Sequence, residues 1–249
     1  MKKLTVATAT VLIIISCAGT KNAVLCIGEP DLKNQRTDLS IPPDTPDGNH
    51  TFYSPDGSKK ASGEVQNEQK EGIWTIHFED SKSGIISAKG LFRNDLPEGD
   101  WTYYDENGNI LQRSRYRRGQ LHGPVITYYE NRIPKLHLNY RSGTKSGKAQ
   151  KYFEDGKPSE ILWYQDGMKH GQTNQFHPNG SRKAIGIYAN DEKNGRWQYF
   201  RDNGVRESQG LYTGGEKTGT WIYYDRHGRA EMEINYSENR QDNISDAPG

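Results

Sequence analysis

The chain has 249 residues, of which 33 are basic and 32 acidic, so its formal net charge is +1. Only 32% of the residues are hydrophobic, yet fifteen are tyrosines. This balance lacks the basic excess that marks nucleic-acid-binding proteins and proteins drawn electrostatically to anionic lipid. We therefore expect no nucleic-acid partner.

The first 16 residues have the features of a secretory signal peptide. Lys2 and Lys3 precede an apolar run, Val11 to Ile15, which is too short for a transmembrane helix of about 20 residues. The following Ser16-Cys17 resembles a bacterial lipobox, in which the cysteine becomes the lipidated first residue. Ala18 in the next position is typical of lipoproteins sent to the outer membrane. An ordinary signal peptide with an incidental cysteine is the alternative.

Residues 17–47 are interpreted as the lipidated cysteine and a flexible tether. The segment is polar and carries prolines at Pro30, Pro42, Pro43 and Pro46. Cys26 is the second of two cysteines, so lipidation of Cys17 leaves no pair for an intramolecular disulfide. The domain organisation expected is a signal peptide at 1–16, a tether at 17–47, a repeat array at 48–242 and a disordered tail at 243–249.

The array follows from a period of 24 residues. The opening glycines of the units are Gly48, Gly72, Gly99, Gly123, Gly147, Gly171, Gly195 and Gly219. In the last six units an aromatic residue stands five positions after the glycine and a tyrosine seventeen positions after it. The second unit needs a three-residue insertion between Glu79 and Gly84. We count eight copies, the first two degraded, as is common at the ends of repeat arrays.

Each unit carries the signals of a β-hairpin. Asn107-Gly108 and its counterparts favour a type I′ turn between two short strands rich in aromatic and β-branched residues. The fourth copy has Asn131-Arg132 instead, followed by Pro134, which predicts a distorted turn. A second reversal, such as Arg117 to Gly123, joins each hairpin to the next. The predicted fold is all-β: an elongated single antiparallel sheet of stacked two-stranded hairpins.

The units resemble the MORN (membrane occupation and recognition nexus) repeat in its bacterial variant. The residues that carry the resemblance are Trp101, Tyr103, Tyr104, Asn107, Gly108, Tyr116, Gly119, His122 and Gly123. The resemblance spans about residues 48–239 and implies a non-enzymatic scaffold that binds proteins or self-associates. Some bacterial members are antitoxin-like, so an antitoxin or immunity role is a further implication. Few Gly-x-Gly pairs are present, which weakens any transfer of phosphoinositide binding from eukaryotic members.

An apolar patch is the principal candidate binding site. Its residues, Ile161, Trp163, Ile185, Ile187 and Leu211, occupy repeat positions that are polar in the third, fourth and eighth copies. A contiguous exposed apolar surface favours binding of a protein partner or a second copy. The alternative is that aromatics such as Tyr152 and Phe176 share this face and cover the patch.

Other candidates are weaker. Arg113, Arg115 and Arg117 alternate along one strand and form either an anion site or a solvated face. No set of residues indicates a metal or a cofactor, and His122 and His170 lie two repeats apart. An enzyme is not expected, although a carboxylate acting with His137 would be the enzymatic alternative. The sequence thus favours an outer-membrane lipoprotein that serves as an interaction scaffold, with carbohydrate or cell-wall binding through exposed aromatics as the alternative.

Overall fold

A computed structural model of the protein describes residues 39–78 and 84–236. The described chain contains β-strands, turns and bends, and it forms one open antiparallel sheet of 18 strands. The predicted fold class is confirmed, because strands that follow each other in the sequence pair as hairpins.

The strands in chain order are β1 (Gly48–Tyr53), β2 (Lys59–Gln66), β3 (Gln69–His77), β4 (Ile86–Arg93), β5 (Leu96–Tyr104), β6 (Ile110–Arg117), β7 (Gln120–Tyr128), β8 (Pro134–Arg141), β9 (Thr144–Lys145), β10 (Gly147–Tyr152), β11 (Pro158–Gln165), β12 (Met168–Lys169), β13 (Gly171–Phe176), β14 (Arg182–Ala189), β15 (Glu192–Phe200), β16 (Arg206–Thr213), β17 (Glu216–Tyr224) and β18 (Ala230–Asn235).

Eight hairpins make up the sheet, one for each predicted copy. In the third copy Gly99 pairs with Tyr116 and Tyr103 with Gln112, and the same register recurs in the sixth, where Gly171 pairs with Tyr188. The two-residue strands β9 and β12 are the detached first parts of the following long strands, so β8 also pairs with β10 and β11 with β13.

The turn types differ from the prediction. At Asn107-Gly108 only the glycine has a positive φ, of 78°, and the amide of Gly108 donates to the carbonyl of Asp105. This geometry is a type I turn followed by a left-handed residue. The reversals between hairpins are the ones with two successive positive φ values, as at Arg118 (49°) and Gly119 (78°). Type I′ geometry therefore lies between the units rather than within them.

The fourth copy does not have the distorted turn that its sequence suggests. Arg132 takes the left-handed position with a φ of 67°. Its amide donates to the carbonyl of Tyr129, and the amide of Tyr129 donates to the carbonyl of Ile133, as in the other hairpins. The register of the array, rather than the residue type, imposes the turn.

The sheet has two unlike faces. The packed face carries Trp101 and Tyr103 of β5 with Ser114 and Tyr116 of β6, together with their counterparts in other copies. The open face carries the alternating residues, which in the third copy are Asp100, Thr102, Arg113 and Arg115. Alternation along each strand separates the two sets.

Tryptophans on the packed face lie against glycines of the preceding hairpin. A Cβ atom on Gly186 would lie 2.1 Å from the Trp197 ring, and one on Gly90 would lie 2.2 Å from Trp101. Each indole also donates from Nε1 to a carbonyl, as Trp197 does to Ile187 at 3.0 Å. The four tryptophans in this position, Trp74, Trp101, Trp197 and Trp221, are fully buried.

The middle of the packed face is built from smaller and more polar residues. Ala149 and Thr173 stand where other copies have tryptophan, and both are buried. Beside them the buried carboxylate of Glu160 accepts from Lys151 Nζ at 2.8 Å and from Gln175 Nε2 at 2.9 Å. Burial opposes ionisation of Glu160, but these bonds hold its pKa below the usual value.

The first hairpin is covered by residues that the sequence assigns to the tether. Leu39 is buried against the cluster that contains Val65 and Trp74, and Lys70 Nζ donates to the Leu39 carbonyl at 2.8 Å. Asp47 accepts a bond from the amide of Asn67. Residues 39–47 thus form a cap on the array, and only the preceding part of the proposed tether lies outside the described residues.

Candidate binding surface on the open face

The open face of copies five to seven carries three exposed apolar side chains at one repeat position. Trp163, Ile187 and Leu211 each stand sixteen residues after the opening glycine, and their exposed fractions are 48%, 46% and 46%. Because the position recurs in each hairpin, the three lie in a row that runs across the strands. We call this row the apolar stripe.

The other two residues of the predicted patch are less accessible. Ile161 and Ile185 lie on the same face, two residues before Trp163 and Ile187, and both are half-buried. The structure therefore divides the patch into a half-covered pair and an exposed stripe of three.

Aromatic residues border the open face along its turn side. In copies three to eight these are the residues five positions after the opening glycine, including Tyr152 and Phe176, and they are half-buried. The guanidinium of Arg113 lies 6.0 Å from the Tyr128 ring, and Gln209 Nε2 donates to the Tyr224 hydroxyl, which places these rings on the open face. The rings share that face, as the alternative interpretation supposed, while the stripe remains exposed.

The arginine cluster is partly neutralised. Arg115 makes two bonds to the carboxylate of Asp100, at 2.8 and 2.9 Å, and the bond from Arg115 lowers the pKa of Asp100. Arg113 lies over an aromatic ring, and Arg117 is exposed at the end of β6. The pairing with Asp100 leaves a smaller positive field than the sequence suggests. The anion site stays a prediction.

His137 lies half-buried on the open face, where it pairs with Ile126 on one side and Gln150 on the other. Burial, with a smaller effect from the charge of Lys148, lowers its pKa. Its strand partners are thus an apolar group and an amide.

The packed face carries lysine and tyrosine pairs whose role is structural. Lys193 Nζ donates to the Tyr199 hydroxyl at 2.8 Å and lies 5.0 Å from the centre of the Tyr212 ring. Burial raises the pKa of Tyr199, and it raises the pKa of Tyr188 to about 12. These hydroxyls stay protonated at neutral pH, and the bonds of Tyr199 to Lys193 and to the Tyr212 hydroxyl lie within the hairpin of β15 and β16.

Sequence reasoning missed residues that flank the stripe. Lys148 pairs with Trp163 across its hairpin, Gln172 with Ile187, and Arg196 with Leu211. A separation of fifteen residues within each unit is the signal that would have revealed them. A further exposed apolar residue, Ile73, lies on the open face of copy two with 65% of its surface accessible.

Within residues 39–78 and 84–236, no group of three or more histidine, cysteine, aspartate or glutamate residues is arranged to hold a metal ion. The same residues include no helix with the length and hydropathy of a membrane span. Cys17, the predicted lipidation site, and Cys26 lie outside the described residues.

Comparison with known protein families gives a match to one unit of the array. Residues 97–118, the third copy, match the family model described as a MORN repeat variant. This unit is similar to the MORN repeat. The shared register of the eight hairpins makes the chain a repeat protein, and one of its units matches the MORN repeat variant.

Other comparisons add little. No curated protein sequence matches the chain. A solved structure titled "Crystal Structure of TcdB2-TccC3-Cdc42" aligns with 70% of this chain and 12% of its own, at 10% identity and a TM-score of 0.20. Similarity at that level carries no argument about fold or function.

Proposed function

We propose that the chain is an exported, lipid-anchored scaffold without catalytic activity, which binds a partner protein through the apolar stripe. The signal-like first 16 residues and Cys17 support export to the outer membrane and anchorage by acyl chains.

One observation carries the binding function. Trp163, Ile187 and Leu211 remain nearly half exposed at a repeat position that holds Arg115, Asn139 and Asn235 in copies three, four and eight. The first copy has Glu64 there, and the second has Leu91, which is half-buried. A row of apolar groups on an otherwise polar face lowers solubility and makes no packing contact with the packed face. Exposed apolar area of this kind usually marks an interface. A tryptophan at its end is the residue type enriched among energetically dominant contacts.

The test is affinity capture from the detergent-solubilised cell envelope with the full chain as bait. The informative variant is Trp163→Ser with Ile187→Ser. Each side chain that the partner would bury is worth about 2 kcal/mol or more, so loss of both should lower the affinity by roughly three orders of magnitude. The matched control is Tyr53→Ser with Ile73→Ser, since both residues are exposed and apolar and Tyr53 is 63% accessible.

A partner protein captured by the wild type and the control but lost with the stripe variant supports the proposal, provided that all three have the same melting temperature. Equal capture by all three contradicts it. Capture of a second copy of the chain assigns the stripe to self-association instead, and retention of envelope polysaccharide that depends on Trp163 assigns it to carbohydrate binding.

A further inference from the structure

The residues around the stripe indicate the conformation of its ligand, and this step rests on the proposed function. Across copies five to seven the order by strand is Lys148, Trp163, Gln172, Ile187, Arg196, Leu211, and each polar residue pairs with the apolar residue that follows it. At the junction between hairpins the register shifts, so that Ile187 pairs with Asn194 and Arg196 lies two residues further along its strand. Polar and apolar side chains therefore alternate across the strands. Neighbouring strands are about 4.8 Å apart, so the apolar groups recur every ~9.6 Å.

An extended ligand in polyproline II conformation has a matching period. It rises about 3.1 Å per residue with three residues per turn, so every third side chain points the same way at ~9.3 Å intervals. Residues on the same side of a β-strand recur at about 6.8 Å, so a strand that contacts one apolar group of the stripe would not place its next side chain on the following group, which is ~9.6 Å away. An α-helix would have to use every seventh residue, at about 10.5 Å.

Twist of the sheet separates the extended ligand from the helix. Adjacent strands rotate by about 20–25°, so the direction of the open face turns by roughly 80–100° over the four intervals from Trp163 to Leu211. Helices curve only gently, with radii of about 60–100 Å, and a helix seated at Trp163 would leave the surface before Leu211. An extended peptide follows the turn.

Amide side chains on the same face suit a ligand with free backbone groups. Gln172 and Gln198 line a shallow depression between copies six and seven, together with Ile185, Ile187 and Arg196. Gln150 and Asn174 lie on the same face beside Ile161. A polyproline-type chain has no internal hydrogen bonds, so its carbonyls accept bonds from such amides. A helix satisfies its carbonyls internally and would not accept bonds from these amides, of which Gln198 already donates one bond to Gln209 Oε1 at 3.2 Å.

The charges on the row select for an acidic ligand. Lys148 and Arg196 alternate with the apolar groups, and neither has an ion-pair partner among the residues that the structure describes. Lys183 lies near the turn of copy six on this face, and it too has no ion-pair partner among the described residues. Acidic side chains between the apolar contacts would complement them.

We propose that the open face of copies five to seven binds an extended, polyproline-type segment of a partner protein. The segment has an apolar residue at every third position and acidic residues between them. Seven residues suffice, because six steps of about 3.1 Å cover ~18.6 Å against ~19.2 Å from the strand of Trp163 to that of Leu211.

The experiment uses a fluorescein-labelled nine-residue peptide, Leu-Glu-Pro repeated three times, titrated with the full chain in detergent and followed by anisotropy. Two further probes are Leu-Lys-Pro repeated three times and a 15-residue amphipathic helical peptide with leucine at every seventh position and glutamates elsewhere on that side. The Leu-Glu-Pro peptide should bind at least tenfold more tightly than either.

Protein variants complete the design. Trp163→Ser with Ile187→Ser should weaken binding of the Leu-Glu-Pro peptide at least tenfold, whereas Tyr53→Ser with Ile73→Ser should leave it unchanged. Lys148→Glu with Arg196→Glu should reverse the preference toward the Leu-Lys-Pro peptide. These charge variants are on the surface and test the charge argument separately from the apolar one.

Three results would overturn this inference: tighter binding of the helical peptide, equal loss in the Tyr53 and Ile73 control, or no binding of Leu-Glu-Pro up to about 1 mM. If the peptide fails while envelope capture still depends on the stripe, the ligand assignment is wrong and the scaffold function stands. If stripe-dependent capture fails as well, both proposals are wrong.

Discussion

Side-chain volume at two positions decides how one hairpin fits the next. The residue fifteen positions after an opening glycine faces the residue two positions after the following one, eleven residues later in the sequence. The successive pairs are Gly63 with Trp74, Gly90 with Trp101, Ser114 with Val125, Leu138 with Ala149, Leu162 with Thr173, Gly186 with Trp197 and Gly210 with Trp221. Four junctions pair a glycine with a tryptophan and two pair a leucine with alanine or threonine, so a large residue meets a smaller one, with Ser114 and Val125 as the exception.

This rule predicts strong coupling between Gly186 and Trp197. Gly186→Leu alone displaces the Trp197 ring, because the added Cβ would lie 2.1 Å from it, and we expect the free energy of unfolding to fall by about 1–3 kcal/mol or more. Trp197→Thr alone leaves a cavity and costs about 3–5 kcal/mol. The double variant reproduces the Leu162 and Thr173 pair of the preceding junction.

Urea denaturation of the four proteins in this cycle measures the coupling. The free energy of unfolding of the double variant should exceed the value calculated by adding the two single effects by at least about 1 kcal/mol. Strict additivity would show that the two residues do not compensate each other. Gly180→Leu with Trp197→Thr is the control pair, since Gly180 lies in a turn with open space around it.

At the scale of the element, each unit contains two chain reversals with different backbone conformations. The turn inside a hairpin needs one left-handed residue, and the reversal between hairpins needs two. Asp105 reinforces the first kind, because its carboxylate accepts the amides of Asn107 and Asn109 at 2.9 and 2.7 Å. Its counterpart Asp225 accepts in the same way, and these bonds lower its pKa to about 2.

The exceptional turn of the fourth copy offers a stabilising substitution. Arg132 holds a φ of 67°, a conformation that costs a residue with a Cβ roughly 1–2 kcal/mol and a glycine almost nothing. Glycine also loses more entropy on folding, by about 0.5–1 kcal/mol, so Arg132→Gly should raise the free energy of unfolding by about 0.5–1 kcal/mol.

Urea midpoints of the wild type and Arg132→Gly measure this difference, with Gly156→Arg in the next copy as the converse change. Gly156 has a φ of 84° in the same turn position, so that variant should lose about 0.5–1 kcal/mol by the same balance of strain against entropy. A destabilised Arg132→Gly protein would mean that the arginine side chain contributes more than its backbone strain costs.

At the scale of the molecule, the sequence predicted what the period controls and missed what single junctions control. Eight hairpins follow from the spacing of glycines and aromatics. The turn types did not, because both reversals contain glycine next to a polar residue and either assignment is consistent with that composition. Trp163 is exposed whereas Ile161 is half-buried. This difference depends on how far the aromatic side chains at the turn side extend over the open face, which the sequence does not give. The cap at Leu39 was hidden in a proline-rich segment, and the Asp100 partner of Arg115 was hidden fifteen residues away.

The packed face forms three separate clusters rather than one core. The first includes Trp74 and Trp101, the second is built from aliphatic residues such as Val125 and Leu162, and the third includes Trp197 and Trp221. Repeat arrays gain their cooperativity from contacts between neighbours. The middle cluster, which lacks tryptophan, is therefore the junction that couples the two ends.

Weakening this junction should separate the unfolding of the two ends. Leu162 is 1% exposed, and Leu162→Ala removes contacts worth about 2–5 kcal/mol at the centre of the array. Hydrogen exchange followed by mass spectrometry gives the opening free energy of each segment. Peptides from copies two and three and from copies seven and eight should open with similar free energies in the wild type and with different ones in the variant. Ile76→Ala, in an end cluster, should lower protection only around the second copy. A common value in all copies of Leu162→Ala would show that coupling between the ends does not pass through the middle cluster.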